Sequence, residues 1–182
     1  QNGRDLIHQY LGRYLLFQSP SNPDFIWMDF EDLDSRQQKP SAGLFRFNRN
    51  DHTFKEYLRI AGNNQDLSRI PTTAMEDSKK RLWMATSNGL LQFNREADSF
   101  IHYSPNLNNK NPFVGGVINC TEDRKGNIWY SNPIDGLFYF NTREKIFTHY
   151  PANPDNPMSL QNNFITGLLL DNIGTLWVSE GS

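Results

Sequence analysis

Tryptophan recurs at Trp27, Trp83, Trp129 and Trp177, with gaps of 56, 46 and 48 residues, and the segments around it superpose. Arg81-Leu82-Trp83-Met84-Ala85-Thr86 lies over Asn127-Ile128-Trp129-Tyr130-Ser131-Asn132 and over Thr175-Leu176-Trp177-Val178-Ser179-Glu180, and Phe25-Ile26-Trp27-Met28-Asp29 lies over its first five residues. Downstream, Gly43-Leu44-Phe45-Arg46-Phe47-Asn48 returns as Gly89-Leu90-Leu91-Gln92-Phe93-Asn94 and Gly136-Leu137-Phe138-Tyr139-Phe140-Asn141. Phe54, Phe100 and Phe147 keep the same register, as do Tyr57, Tyr103 and Tyr150. A repeat of about 47 residues means that one supersecondary unit is copied along the chain, each copy burying its apolar face against the next.

The unit has strand character. An aspartate precedes tryptophan by six residues at Asp77, Asp123 and Asp171, followed by polar turn residues such as Arg124-Lys125-Gly126-Asn127. Asp bonds its own turn backbone and Gly supplies a positive φ, so this stretch between two apolar runs signals a hairpin. The clearest copy gives four short strands, at 72–77, 82–86, 89–94 and 100–103, and no segment sustains helical spacing. Four strands in roughly 40–50 residues is the period of a β-propeller blade. The expected fold is therefore all-β, with blades of four antiparallel strands. The expected division is a lead-in over 1–14 formed by the last strand of a preceding blade, a first blade over 15–57 with an enlarged loop at 29–42, a second over 72–103, a third over 117–150, and the first half of a fourth over 164–182. Such a chain supplies about three and a half blades of a seven-bladed ring. Half a ring would leave bare sheet edges, which proteins avoid, so the expectation is a fragment, or closure with a second copy.

Composition removes other classes. With 18 Lys and Arg against 20 Asp and Glu among 182 residues, the chain is no polycation built for nucleic acid. An aromatic content of 13% argues for a packed core rather than disorder. The longest aliphatic run, Leu168-Leu169-Leu170, is far below the ~20 residues of a membrane helix, so no membrane contact is expected within the chain. A single cysteine, Cys120, excludes an internal disulfide and reads as a small buried hydrophobe.

Asn153-Pro154-Asp155-Asn156-Pro157-Met158-Ser159-Leu160-Gln161-Asn162-Asn163-Phe164-Ile165, followed by Asp171-Asn172-Ile173-Gly174-Thr175-Leu176-Trp177-Val178, resembles the two-component regulator propeller repeat. So do Glu122-Asp123-Arg124-Lys125-Gly126-Asn127-Ile128-Trp129 and Asp135-Gly136-Leu137-Phe138-Tyr139-Phe140-Asn141. The resemblance runs from Leu15 to the end, with departures: the family's Gly-Thr after tryptophan is Ala85-Thr86, Ser131-Asn132 and Ser179-Glu180 here. It implies the sensor region of a hybrid two-component system of the Bacteroidetes type. In that family two seven-bladed rings in the periplasm precede an immunoglobulin-like domain, a membrane helix and a histidine kinase. By resemblance the chain is a periplasmic module of an inner-membrane protein that recognises an oligosaccharide or another small ligand and signals to a kinase outside it. Its expected partners are further blades or a second copy.

The repeat's Asp, Trp, Gly and aromatic residues are read as structural. Candidate binding residues are sought in the connections between blades and between the two middle strands of each blade, which share one rim. They are Arg36, Arg69, Asn108, Asn109, Asn132, Asp135, Asn162 and Asn163. Asn amides donate and accept, which suits sugar hydroxyls, while Arg36 and Arg69 suit an anionic group and Asp135 a hydroxyl. Asn also tolerates turns, which is the structural alternative. His102 and His149 occupy one register position in successive copies, so neither a metal nor another cofactor is expected. No catalytic residue is assigned, since no paired rim carboxylates emerge. The competing readings are a protein-docking scaffold and a propeller glycosidase or lyase; Asp171 stands six residues before Trp177, against five in sialidase Asp boxes.

Overall fold

A computed structural model describes residues 15–32, 41–61, 71–86, 88–105, 119–132 and 134–181. The expected lead-in over 1–14 lies outside them. The described residues form strands and turns only, with fourteen strands in four antiparallel sheets. The first sheet holds β1 (Leu16–Gln18), β2 (Phe25–Asp32), β3 (Ser41–Asn48) and β4 (Phe54–Ala61), and the second β5 (Thr73–Glu76), β6 (Leu82–Thr86), β7 (Gly89–Asn94) and β8 (Ser99–Tyr103). The third holds β9 (Asn119–Glu122), β10 (Ile128–Asn132), β11 (Gly136–Asn141) and β12 (Ile146–Tyr150), and β13 (Ile165–Leu170) pairs with β14 (Leu176–Glu180) in the fourth. Each sheet is a meander in chain order. The first strands lie side by side, β1 against β5, β5 against β9 and β9 against β13, so the sheets radiate from a common inner edge. This is the blade arrangement of a β-propeller.

Two boundaries differ from the sequence reading. β2 and β3 stay paired as far as Asp32 and Ser41, so residues 29–32 and 41–42 of the expected loop belong to strands. β4 continues past Tyr57 to Ala61 because β3 supplies backbone partners up to that point.

The core lies between sheets. Leu15, Trp27, Leu44, Leu82, Met84, Leu91 and Phe93 fill the seam between blades 1 and 2, while Trp83, Ala85, Leu90, Ile128, Tyr130, Phe138 and Phe140 fill the next. Successive side chains of a strand point to opposite faces, so Leu82 and Met84 serve one seam and Trp83 and Ala85 the other. β6 is buried throughout for that reason.

One packing rule repeats. The third-strand phenylalanine of blades 2 and 3 enters a slot made by the tryptophan and outer tyrosine of the blade before it. Phe93 lies 4.8 Å from Trp27 and 5.7 Å from Tyr57. Phe140 lies 5.9 Å from Trp83 and 5.0 Å from Tyr103. The turns repeat as well: the third residue after each aspartate takes a positive φ, at Lys80, Gly126 and Gly174, and so does the fourth residue after Asn48, Asn94 and Asn141.

Candidate functional site

Antiparallel meanders put two kinds of connection on each rim. The upper rim carries the turn between the middle strands of each blade and the chain leading to the next blade. The lower rim carries the two outer hairpin turns. Arg36, Arg69, Asn108 and Asn109 lie outside the described residues.

Of the other four candidates, Asn132, Asp135 and Asn163 share one hydrogen-bonded corner of blade 3, while Asn162 bonds to the fourth sheet. Asn132 is buried, its Oδ1 accepting from the amides of Ile134 at 2.8 Å and Asp135 at 3.3 Å, and its Nδ2 donating to Asp135 Oδ2 at 2.9 Å. His149 Nε2 meets the Asp135 carbonyl at 2.5 Å and its ring stacks on Phe138 at 4.5 Å; His102 Nε2 meets the Asn88 carbonyl at 3.0 Å in the equivalent place. Asn163 crosses from the next connection, donating to the Ile134 carbonyl at 2.6 Å and accepting from the Ala152 amide at 2.7 Å. Asn162 accepts from the Phe164 amide at 2.5 Å and donates to the Gly181 carbonyl. Glu180 receives the amides of Gln161 and Asn162 at 3.1–3.2 Å. The asparagine amides therefore brace the rim, while Ile134, Met158 and Phe164 stand exposed on it. The Asn153–Leu160 segment holds itself closed: Asn153 N donates to Leu160 O at 2.8 Å, and Gln161 Nε2 to Ser159 O at 2.9 Å.

The lower rim is charged and spans the seams. Glu76 accepts from the hydroxyls of Ser19 and Ser21 and from the Ser21 amide across to blade 1, and Glu122 accepts from Ser78 N at 2.6 Å and Ser78 Oγ at 2.8 Å across to blade 2. Burial pushes the Glu76 carboxyl up, but the hydrogen bonds from Ser19 and Ser21 outweigh it and hold the group below its ordinary range. Asp98, at the positive-φ corner of the β7–β8 hairpin, receives Arg46 Nη1 at 3.0 Å, Tyr57 Oη at 2.5 Å and Lys55 Nζ. Between these braces a cavity of about 140 Å³ is lined by Ser19, Asn22, Phe25, Trp27, Arg46, Leu82, Phe93 and Arg95. Sequence alone does not point to the cavity, because Arg46 and Arg95 sit on a third strand and an outer hairpin, away from the rim connections where binding residues are expected. The signal available was Arg46 itself, a cation where the other copies carry Gln92 and Tyr139.

Cys120 is half-buried in β9, and burial pushes its thiol up to about 12, which suits packing and not nucleophilic chemistry. Among the described residues no group of three His, Cys, Asp or Glu is placed to hold a metal ion, and no helix is long and apolar enough to cross a membrane.

No protein-family model and no curated protein matches this chain. Solved structures do. The extracellular domain of BT4673 from B. thetaiotaomicron, described in one structure as a one-component and in another as a hybrid two-component system, matches with TM-scores of 0.65 and 0.64 at 17% identity. The alignments cover 92% and 91% of this chain and 20% of that one. The extracellular domain of the hybrid two-component system BT3049 from the same organism matches with a TM-score of 0.57 at 14% identity, covering 90% of this chain and 25% of that one. The chain thus shares their fold and spans about a fifth to a quarter of their length.

Proposed function

We propose that this chain is a ligand-sensing propeller segment of a hybrid two-component sensor, lying outside the cytoplasm and signalling to a histidine kinase that the described residues do not contain. The observation that carries the reading is the agreement of two likenesses: the repeat motif resembles a sensor propeller, and the fold matches extracellular domains described as hybrid two-component systems over 90% and 91% of the chain. The proposed ligand is an oligosaccharide received on the upper rim. Phe164, 45% exposed, gives a sugar ring an apolar face beside Asn162 and Asn163, and Arg36, Arg69, Asn108 and Asn109 are the further proposed contacts. Signalling then follows from a difference in ligand affinity between two arrangements of the propeller and its partner, further blades or a second copy of the chain. The chain itself carries no reaction in this scheme.

A protein-docking role has one observation in its favour. Leu169 and Trp177 on the fourth sheet and Ile173 in its turn are 64%, 60% and 75% exposed. Calorimetric titration with an oligosaccharide panel separates the two. Sensing predicts at least one binder, weakened about tenfold by Phe164→Ala and by Arg69→Ala; binding indifferent to both substitutions removes the upper rim as the site.

A further inference from the structure

The seam between blades 1 and 2 brings two arginines to one cavity. Arg46 reaches across from β3, its guanidinium 4.2 Å from the centre of the Phe25 ring and 5.2 Å from that of Tyr57. Its side chain is 16% exposed, and it donates through Nη1 alone, to Asp98. Arg95 reaches back from the β7–β8 hairpin and donates through Nη2 alone, to Ser21 Oγ at 3.0 Å and Lys80 O at 3.2 Å, with Glu76 at 3.7 Å. Arg46 therefore keeps Nε and Nη2, and Arg95 keeps Nε and Nη1, without a hydrogen-bond partner among the described residues. A guanidinium is a planar fork of five donors matched to a carboxylate, and here two such forks from adjacent blades line one cavity with an edge to spare.

The two lining arginines are met by one carboxylate each, Asp98 at 3.0 Å from Arg46 and Glu76 at 3.7 Å from Arg95. The remaining lining divides by chemistry: Phe25, Trp27, Leu82 and Phe93 make an apolar wall, and the Asn22 amide and Ser19 hydroxyl sit beside it. The volume sets the size, since a cavity of about 150 Å³ holds benzene, a molecule of six heavy atoms.

We propose that this cavity is a binding site for a small carboxylate of about six heavy atoms, its charge held between Arg46 and Arg95 and its apolar end on Phe25 and Phe93. The site lies on the rim opposite the one assigned above to the oligosaccharide and does not depend on that assignment. Because its walls come from two blades, occupancy bridges the seam.

The test is calorimetric titration of the protein with L-lactate, which has the required size and charge, and with L-lactamide, its neutral counterpart. The expected result is saturable lactate binding, at least about tenfold weaker for lactamide and for Arg95→Gln, and unchanged for Arg143→Gln on the next hairpin. Arg95 is 40% exposed, so its replacement leaves the core intact, and Arg46→Lys adds a variant that keeps the charge and loses the fork. Glucuronate, about twice the size of lactate, is titrated in parallel as a test of the size limit: weaker glucuronate supports a small free acid, whereas glucuronate binding more tightly than lactate would overturn the assignment. Equal affinity for lactate and lactamide, no binding by either acid, or full affinity in Arg95→Gln would overturn the proposal.

Discussion

The Tyr57 phenol donates to Asp98 Oδ1 at 2.5 Å, joining the outer strand of the first blade to a hairpin of the second. Asp98 is at the same time the acceptor for Arg46 and Lys55, so one carboxylate ties three side chains of the neighbouring blade. Burial raises the Asp98 carboxyl, but hydrogen bonds from Lys55 and Tyr57 and the nearby cations outweigh it and hold the group below its ordinary value. Burial, helped by that same hydrogen bond, pushes the Tyr57 phenol well above its usual range.

A lowered carboxyl stabilises the fold above its unfolded pKa, about 3.9, and that contribution is lost as pH falls through the lower folded value. Asp98→Asn keeps the positive-φ backbone, which Asn tolerates. With Asp98 35% exposed the screened loss is about 1 kcal/mol at pH 7. Urea unfolding at pH 7 and pH 3 should show the gap between variant and parent closing in acid; a gap of constant size would mean that the carboxylate's charge is not what binds the seam.

Aspartates in equivalent places do unequal work. Asp77 is buried and accepts from Trp83 Nε1 at 2.8 Å, Arg81 Nε at 2.5 Å and the amides of Lys79 and Arg81. Asp123 holds its turn amides and Asn127 Nδ2 at 3.2 Å, and Trp129 makes no bond to it. Asp77→Ala should therefore cost about 3 kcal/mol and Asp123→Ala about 1–2 kcal/mol. Equal shifts in denaturation midpoint would contradict this difference.

Glycines can be ranked the same way. Gly89 has φ +117°, and a Cβ there would come within 2.1 Å of the Tyr103 carbonyl oxygen, a backbone atom that β7–β8 pairing fixes. Gly126 has φ +80° and meets only Glu122 Oε1, at 3.5 Å, and Lys79 Nζ, at 4.0 Å. Gly89→Ala should destabilise by at least about 3 kcal/mol, and Gly126→Ala by about 1 kcal/mol from backbone strain alone. Thermal unfolding of the pair decides it.

Cys120 offers a check on the inner strand. A thiol at about 12 leaves so little thiolate at pH 8 that alkylation by iodoacetamide should run about a thousandfold slower than in the urea-unfolded chain, where the pKa is about 8.5. Rapid labelling under native conditions would show that β9 is more open than the packing of Cys120 against the second seam implies.

The repeat register determined the strand pairs, the meander order and the turn positions from sequence alone, because each rests on local pattern: alternation within strands, and Asp or Gly where the backbone turns. Arg46 could have been singled out as a cation at a position filled by Gln92 and Tyr139. The fate of equivalent residues could not be read in this way. Trp83 is fully buried and Trp177 is 60% exposed, although the sequence treats them alike, since Trp83 meets Phe140 from the following blade and no strand lies beyond β14 among the described residues. Asn132, Asn162 and Asn163 looked like free amides for a ligand, and the structure turns them onto backbone groups of their own and the adjoining connections. Local pattern sets how a blade is built, whereas burial, pairing and the shape of a cavity are properties of a seam, and a seam exists only once two blades that are distant in sequence have been packed together.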